Sequence, residues 1–212
     1  MRLGALLFDL DGTLVETIHL YGEAMITTFA GYGVEITEED FLAMYHRGTS
    51  IDTLLRERLG QEADVSEARS IRDTEYIRLL EERSEWLPGA LEVLKASQNV
   101  PRAIVTKSWQ SYVSAIDRKV GVLSHFGTVI TAEHMKPYFK PHPHGFLVAA
   151  DMLGVSPSDC LVIGDQLFDI EGAKNAGMQS VLLHGAHTPK EARGVAERDV
   201  ASLGDLIELL RS

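Results

Sequence analysis

Gly4-Ala5-Leu6-Leu7-Phe8-Asp9-Leu10-Asp11-Gly12-Thr13-Leu14 is an apolar run that ends in two carboxylates. The stretch from Ala5 to Phe8 reads as a buried parallel strand. Ionised Asp is rarely buried without a partner or a metal. Alternation along a strand sends Asp9 and Asp11 to the same side, where they repel unless a cation intervenes or one keeps a proton. Gly12 lets the backbone turn sharply out of the strand. Taken alone, the stretch also fits a strand end followed by a solvated Asp-Gly turn.

The same pattern recurs outward from this point. Further apolar runs at 103–106, 128–131, 161–164 and 180–183 read as strands, and 145–153 and 170–176 as helices. Strands alternating with helices predict an α/β fold, a Rossmann-like parallel sheet core. Ligands bind such sheets beyond the carboxyl ends of the strands, where Asp9, Thr106 and Asp165 fall together. The alternation breaks between 16 and 86, where no strand is evident. There Ile18, Tyr21, Met25 and Phe29, then Phe41, Met44 and Tyr45, recur at helical spacing. Thr37 with Asp40 resembles a capping pair. The polar stretch 66–86 predicts an exposed helix with a narrow apolar face of Ile71, Ile77, Leu79 and Leu80. Pro88-Gly89 restarts the α/β pattern. The expected organisation is a core of 1–15 and 87–212 with a helical domain of 16–86 inserted. Residues 200–210 predict a short strand and an edge helix that packs Leu203, Leu206, Ile207 and Leu210.

Composition narrows the function classes. The chain has 212 residues, 45% hydrophobic and 24% charged, as in ordinary globular proteins. A net charge of −11 disfavours non-specific nucleic-acid binding. Cys160 is the one cysteine, inside an apolar run, and reads as a small core residue. No apolar stretch approaches the roughly 20 residues of a membrane helix, and a strand begins right after Met1 and Arg2. The expected location is cytoplasmic, with no membrane partner.

Three more motifs carry candidate chemistry. Ile104-Val105-Thr106-Lys107-Ser108 ends a strand in a hydroxyl, which serves equally as a helix cap or strand terminator. Lys140 sits in Phe139-Lys140-Pro141-His142-Pro143, placed by neighbouring prolines. Gly164-Asp165-Gln166-Leu167-Phe168-Asp169 follows another strand. In order, Asp-x-Asp-Gly-Thr, strand-end Thr, Lys-Pro and Gly-Asp-x-x-x-Asp resemble the motifs of the haloacid dehalogenase superfamily of phosphohydrolases. Gly172-Ala173-Lys174-Asn175-Ala176-Gly177-Met178 also looks like this family. The helical insert stands where a C1-type cap stands in the subfamily of phosphoglycolate phosphatase and β-phosphoglucomutase.

The resemblance implies a division of labour. Asp9 is expected as nucleophile and Asp11 as general acid/base, with Thr106 and Lys140 on the phosphoryl oxygens. Asp9, Asp165 and the main-chain carbonyl of Asp11 are expected to hold Mg²⁺, whose hard oxygen-ligand shell keeps several waters. Asp169 is expected as a water-mediated ligand, or as an orienting group for Asp165 and Lys140. Lys107 replaces the Asn or Ser more frequent after the motif Thr, leaving open a phosphate contact or an outward position. Arg47, in Arg47-Gly48-Thr49-Ser50, is expected either to reach substrate from a cap loop or to be solvated. His142, His144, His184 and His187 read as surface or loop residues rather than zinc ligands. The implied activity is a Mg²⁺-dependent phosphatase acting on a small phosphorylated metabolite, as a monomer or dimer. The alternatives are a β-phosphoglucomutase-type sugar phosphomutase and a catalytically idle phosphometabolite-binding protein. Thr13 leans towards the phosphatases, since β-phosphoglucomutases usually carry Val there.

Overall fold

The computed structural model describes residues 3–47, 49, 51–62 and 64–211. The chain enters through β1 (Ala5–Phe8) and turns at Gly12 into β2 (Val15–Glu16), a two-residue strand. β2 pairs antiparallel with β3 (Glu85–Trp86), so Val15 faces Trp86 and Glu16 faces Glu85. This small ribbon ties together both ends of the insert and was not evident in the sequence. Strands this short leave no hydrophobic period to read.

Between β2 and β3 lie α1 (Ile18–Gly31), α2 (Glu38–Arg47), α3 (Ile51–Leu59) and α4 (Val65–Arg83). The Thr37–Asp40 pair caps α2 as expected, with Asp40 N–H donating to Thr37 Oγ1 at 3.1 Å and Thr37 N–H to Asp40 Oδ2 at 2.9 Å. Asp64 caps α4 by accepting from the Ser66 and Glu67 amides. The insert has its own core of Ile18, Met25, Phe29, Phe41, Met44 and Leu55. One expectation is corrected within α4. Ile71 is exposed, and the inward stripe is Arg72, Tyr76, Leu79 and Leu80. The helix turns a cationic side chain inward because Tyr21 and Asp73 satisfy its guanidinium.

After β3 the α/β alternation resumes with α5 (Ala90–Ala96), β4 (Arg102–Val105), α6 (Gln110–Val120), β5 (Thr128–Ile130), α7 (Ala132–Met135) and α8 (His144–Leu153). β6 (Cys160–Gly164), α9 (Leu167–Asn175), β7 (Gln179–Leu183), β8 (Arg198–Val200) and α10 (Leu203–Arg211) complete it. The six long-range strands form one parallel sheet in the order β5-β4-β1-β6-β7-β8. Period-two alternation splits the side chains between two faces. Leu6, Phe8, Ile104, Leu161 and Ile163 point into a core with α5, α6 and α10, which Tyr76, Leu79 and Leu80 of α4 extend. Ala5, Leu7, Ala103, Val105, Cys160 and Val162 point into the opposite core under α8 and α9. Burying a side chain such as Phe8 contributes about 1.5–3 kcal/mol, so both faces drive this arrangement. No helix among the described residues is long and apolar enough to cross a membrane.

The sheet order places the site. From β1 the chain builds outward through β4 and β5 on one side, then through β6, β7 and β8 on the other. The reversal opens a crevice at the carboxyl end of β1, flanked by β4 and β6.

Candidate active site

Asp9, Thr106 and Asp165 each follow the last residue of a strand, and they meet in that crevice. The ladder runs on past the strand ends: the Asp9 amide donates to Ile163 O at 2.8 Å, and the Thr106 amide to Ile130 O at 2.9 Å. Lys140 enters from the segment before α8. Its Nζ donates to Asp9 Oδ1 at 2.7 Å and to Asp169 Oδ1 at 2.6 Å. The ammonium also lies 5.3 Å from the centre of the Phe146 ring. Burial alone would favour the neutral amine, but Asp169 and Asp9 outweigh it and raise the lysine above its ordinary value.

Asp11 occupies a different environment. Thr17 Oγ1 donates to its Oδ1 at 2.6 Å, while Ser108 Oγ and Thr106 Oγ1 reach its Oδ2 at 2.7 and 3.2 Å. Burial first, then the Asp9 charge, raises its pKa, and the three hydroxyls only partly oppose this. Two acids separated by one residue thus sit in contrasting fields: Asp9 against an ammonium, Asp11 among neutral hydroxyls. Ser108 and Thr17 escaped the sequence reading, because their roles depend on how loops and insert dock. Ser108, two residues beyond the strand-end Thr, was the available signal.

Asp165 is buried, with Thr13 Oγ1 donating to Oδ1 at 3.1 Å and Gln166 Nε2 to Oδ2 at 2.6 Å. Burial, then the charges of Asp9 and Asp169, pushes its pKa well above the carboxylate range. Asp169 is likewise pushed up to about 7, by burial and then Asp9 against the opposing Lys140. Asp9, Asp165 and Asp169 present oxygens that all lie within 4.8 Å of one another. Three buried acids face one ammonium, so ionised together they would carry more negative charge than their protein partners balance. An all-oxygen donor set with excess charge fits a hard divalent cation such as Mg²⁺. Asp169 spends Oδ1 on Lys140 and Oδ2 on the Gln166 amide, which suits it to orienting its neighbours. The histidines do not join this group: His142 stacks on Tyr138 and His184 pairs with Asp199.

A cavity of about 220 Å³ opens over Asp9 and Asp11. The sheet side contributes Thr106, Lys107, Ser108, Trp109 and Tyr112, and the insert contributes Tyr21, Met44, Tyr45, Thr49, Arg72 and Tyr76. Lys107 lines the rim, its Nζ 4.1 Å from the centre of the Phe168 ring. Arg47 ends α2 with an exposed side chain and is not among the lining residues; Gly48 and Ser50 of its loop lie outside the described residues. Arg72 is the arginine in the lining, and its guanidinium is engaged within the protein: Nε donates to Asp73 Oδ1 at 2.5 Å and Nη1 donates to the Tyr21 hydroxyl. The Tyr112 hydroxyl donates to the same Asp73 oxygen at 2.7 Å. Tyr45 carries a phenol pushed well above its ordinary pKa by burial, then by Asp165, Asp11 and Asp9.

Comparisons with known proteins agree with this geometry. The family model for haloacid dehalogenase-like hydrolases matches residues 3–177. Phosphoglycolate phosphatase of Escherichia coli K12 is 29% identical over 229 aligned positions, covering 96% of this chain and 90% of that protein. The phosphoglycolate phosphatase of Salmonella paratyphi A is 30% identical with the same coverage. Among solved structures, a hydrolase of this family from Deinococcus radiodurans R1, with bound phosphate and sodium, superposes with a TM-score of 0.79 at 26% identity, covering 99% of this chain and 95% of that one. CbbY from Rhodobacter sphaeroides, in complex with phosphate, shares the fold with a TM-score of 0.85 at 24% identity, covering 96% of both chains. With the motif carboxylates gathered at one sheet edge and the family pattern spanning most of its length, the chain belongs to the haloacid dehalogenase-like hydrolases.

Proposed function

We propose that the protein is a Mg²⁺-dependent phosphatase of small phosphorylated metabolites, working through an aspartyl-phosphate on Asp9. The observation that carries this reading is the contrast between Asp9 and Asp11. Asp9 accepts a hydrogen bond from the Lys140 ammonium, which sets a cation beside the proposed nucleophile. Asp11 sits where its proton affinity is raised, as a general acid requires. In the proposed reaction Asp9 attacks phosphorus while Asp11 gives its proton to the leaving oxygen. Asp11 then takes a proton from the water that hydrolyses the aspartyl-phosphate. Thr106 and Lys140 bind phosphoryl oxygens, and Lys107 adds positive charge at the rim.

Asp9, Asp165 and the Asp11 carbonyl are the proposed Mg²⁺ ligands, with Asp169 orienting them. When bound, the cation supplies charge neutralisation between nucleophile and phosphoryl group.

The helical insert, residues 16–86, is the proposed cap over this site. Its seating would exclude bulk water and strengthen the electrostatics beneath it. A small cavity with Arg72 in its lining supports a substrate with a second anionic group. Phosphoglycolate, named for the enterobacterial relatives, is the leading candidate, and small sugar phosphates are next. The proposed location is the cytoplasm, with neither nucleic acid nor membrane as partner.

The test is a Mg²⁺ phosphate-release screen over phosphorylated acids and sugars, run beside Asp9→Asn. Wild type should release phosphate, and the variant should be inactive with an unchanged circular dichroism spectrum. Turnover retained by purified Asp9→Asn would sink the nucleophile assignment. Accumulation of an isomeric sugar phosphate with little free phosphate would transfer the reading to a phosphomutase.

A further inference from the structure

Gln166 follows Asp165 directly and is almost fully buried. Its backbone is tied to the start of α9: the Gln166 amide donates to Asp169 Oδ2 and the Gln166 carbonyl accepts from the Asp169 amide at 3.1 Å. Of the side-chain amide, the Nε2 group faces two acceptors. It donates to Asp165 Oδ2 at 2.6 Å and to the His187 carbonyl at 3.3 Å. The hydrogen-bond pattern therefore fixes which end of the amide meets the carboxylate.

The His187 carbonyl has a second donor, from the other part of the molecule. His46 in the last turn of α2 contributes its Nε2 at 2.7 Å. The carbonyl is held in place between them. Thr188, itself buried, donates from Oγ1 to Leu183 O at 3.1 Å and accepts from the Gly185 amide at 2.8 Å. α2 also carries Met44 and Tyr45, which line the cavity over Asp9 and Asp11. One carbonyl thus connects the helix that roofs the cavity to a carboxylate of the cation cluster.

We propose that the His187 carbonyl couples seating of the helical insert to the cation site, with His46 and Gln166 as the positioning residues for Asp165. The proposal rests on Asp165 being a Mg²⁺ ligand. When the insert is seated, His46 fixes the carbonyl, the carbonyl fixes the Gln166 amide, and the amide fixes the Asp165 carboxylate. By linkage, cation binding favours the seated insert to the same degree that seating favours the cation. Groups that orient metal ligands commonly change metal affinity by about 10- to 100-fold when removed.

The test titrates Mg²⁺ calorimetrically into metal-stripped protein and follows amide hydrogen exchange without metal. Gln166→Ala should weaken Mg²⁺ binding about tenfold, and His46→Ala about fivefold. The double variant should bind no more weakly than Gln166→Ala alone, since both act through one carbonyl. His46→Gln, which keeps a donor, should bind like wild type. Glu81→Ala removes the separate α4–α6 contact with Arg118 and should also leave Mg²⁺ affinity unchanged. Without metal, Gln166→Ala should speed exchange in α2 although the substitution lies in the core. Wild-type affinity in His46→Ala, additive losses in the double variant, or unchanged α2 exchange in Gln166→Ala would each overturn the coupling. A wild-type protein that binds no Mg²⁺ would overturn the metal reading, and α2 exchange would then decide the link between insert and core.

Discussion

Lys140 Nζ stands 2.7 Å from Asp9 Oδ1 with its side chain closed off from solvent. A second carboxylate, Asp169, lies 2.6 Å away on the same ammonium. Removing the cation would leave two buried acids facing each other. Breaking a buried pair on one side costs about 3–5 kcal/mol. Lys140→Met should therefore lose stability of that order in urea unfolding, and lose phosphate release by about 100-fold or more. Excess Mg²⁺ should restore part of the stability but not the activity. A Lys140→Met protein as stable as wild type would show that the pair does not hold the site together.

The acid cluster makes stability depend on pH in a defined direction. Burial and mutual repulsion raise Asp165 well above the ordinary carboxylate value, and Asp169 to about 7. In the unfolded chain both would titrate near about 3.9. Between that value and the raised folded values the native state binds more protons. Metal-free stability should then fall as pH rises through this window. The melting temperature of the metal-free protein should be higher at pH 6 than at pH 8. Mg²⁺ should raise it more at pH 8, above the value of about 7 to which Asp169 is raised, because fewer protons then compete for the cluster. Equal Mg²⁺-induced shifts at both pH values would contradict a cluster of raised carboxylates.

These predictions rest on residues that were legible for a simple reason. Asp9, Thr106 and Asp165 follow parallel strands, so recognising the strands already put them at one edge. Lys140 and Asp169 lie beside recognisable breaks, a proline pair and a strand-to-helix turn. Arg72, Tyr45, Thr17 and the His46–His187 contact depend on how the insert docks, and no local period encodes that. Arg72 was hidden further, because Ile71 offered an apolar alternative for the buried face of α4. Docking of α4 against Tyr21 of α1, with Asp73 beside Arg72 on the same helix, decided between them.

Arg72 and Arg47 make opposite predictions. Arg72 lies in the cavity lining, and Arg47 is exposed at the end of α2. Arg72→Ala should raise KM for a substrate with a second anion by about tenfold or more, since charge-assisted contacts contribute about 1.5–3 kcal/mol. A phosphomonoester with a neutral leaving group should lose much less. Arg47→Ala should stay within about threefold of wild type on both substrates, as expected for an exposed charge. Steady-state kinetics on such a pair of substrates decides the matter, and a larger KM effect from Arg47 would reassign the anion contact.

Gly12 joins the two opening carboxylates to the cation cluster through geometry alone. Its φ of +80° is costly for any side-chain-bearing residue. A Cβ there would lie 2.7 Å from Asp165 Oδ2 and 2.7 Å from Ile18 Cδ1. Gly12→Ala must therefore displace the Asp165 carboxylate, the first helix of the insert, or the turn itself. The left-handed backbone alone should cost about 1–2 kcal/mol. Gly31→Ala provides the contrast, because a Cβ at that position would meet nothing within 4 Å. Gly12→Ala should lose both Mg²⁺ affinity and phosphate release, while Gly31→Ala keeps them. If Gly12→Ala bound Mg²⁺ like wild type, Asp165 would not need the position the close packing gives it, and its assignment as a ligand would fall.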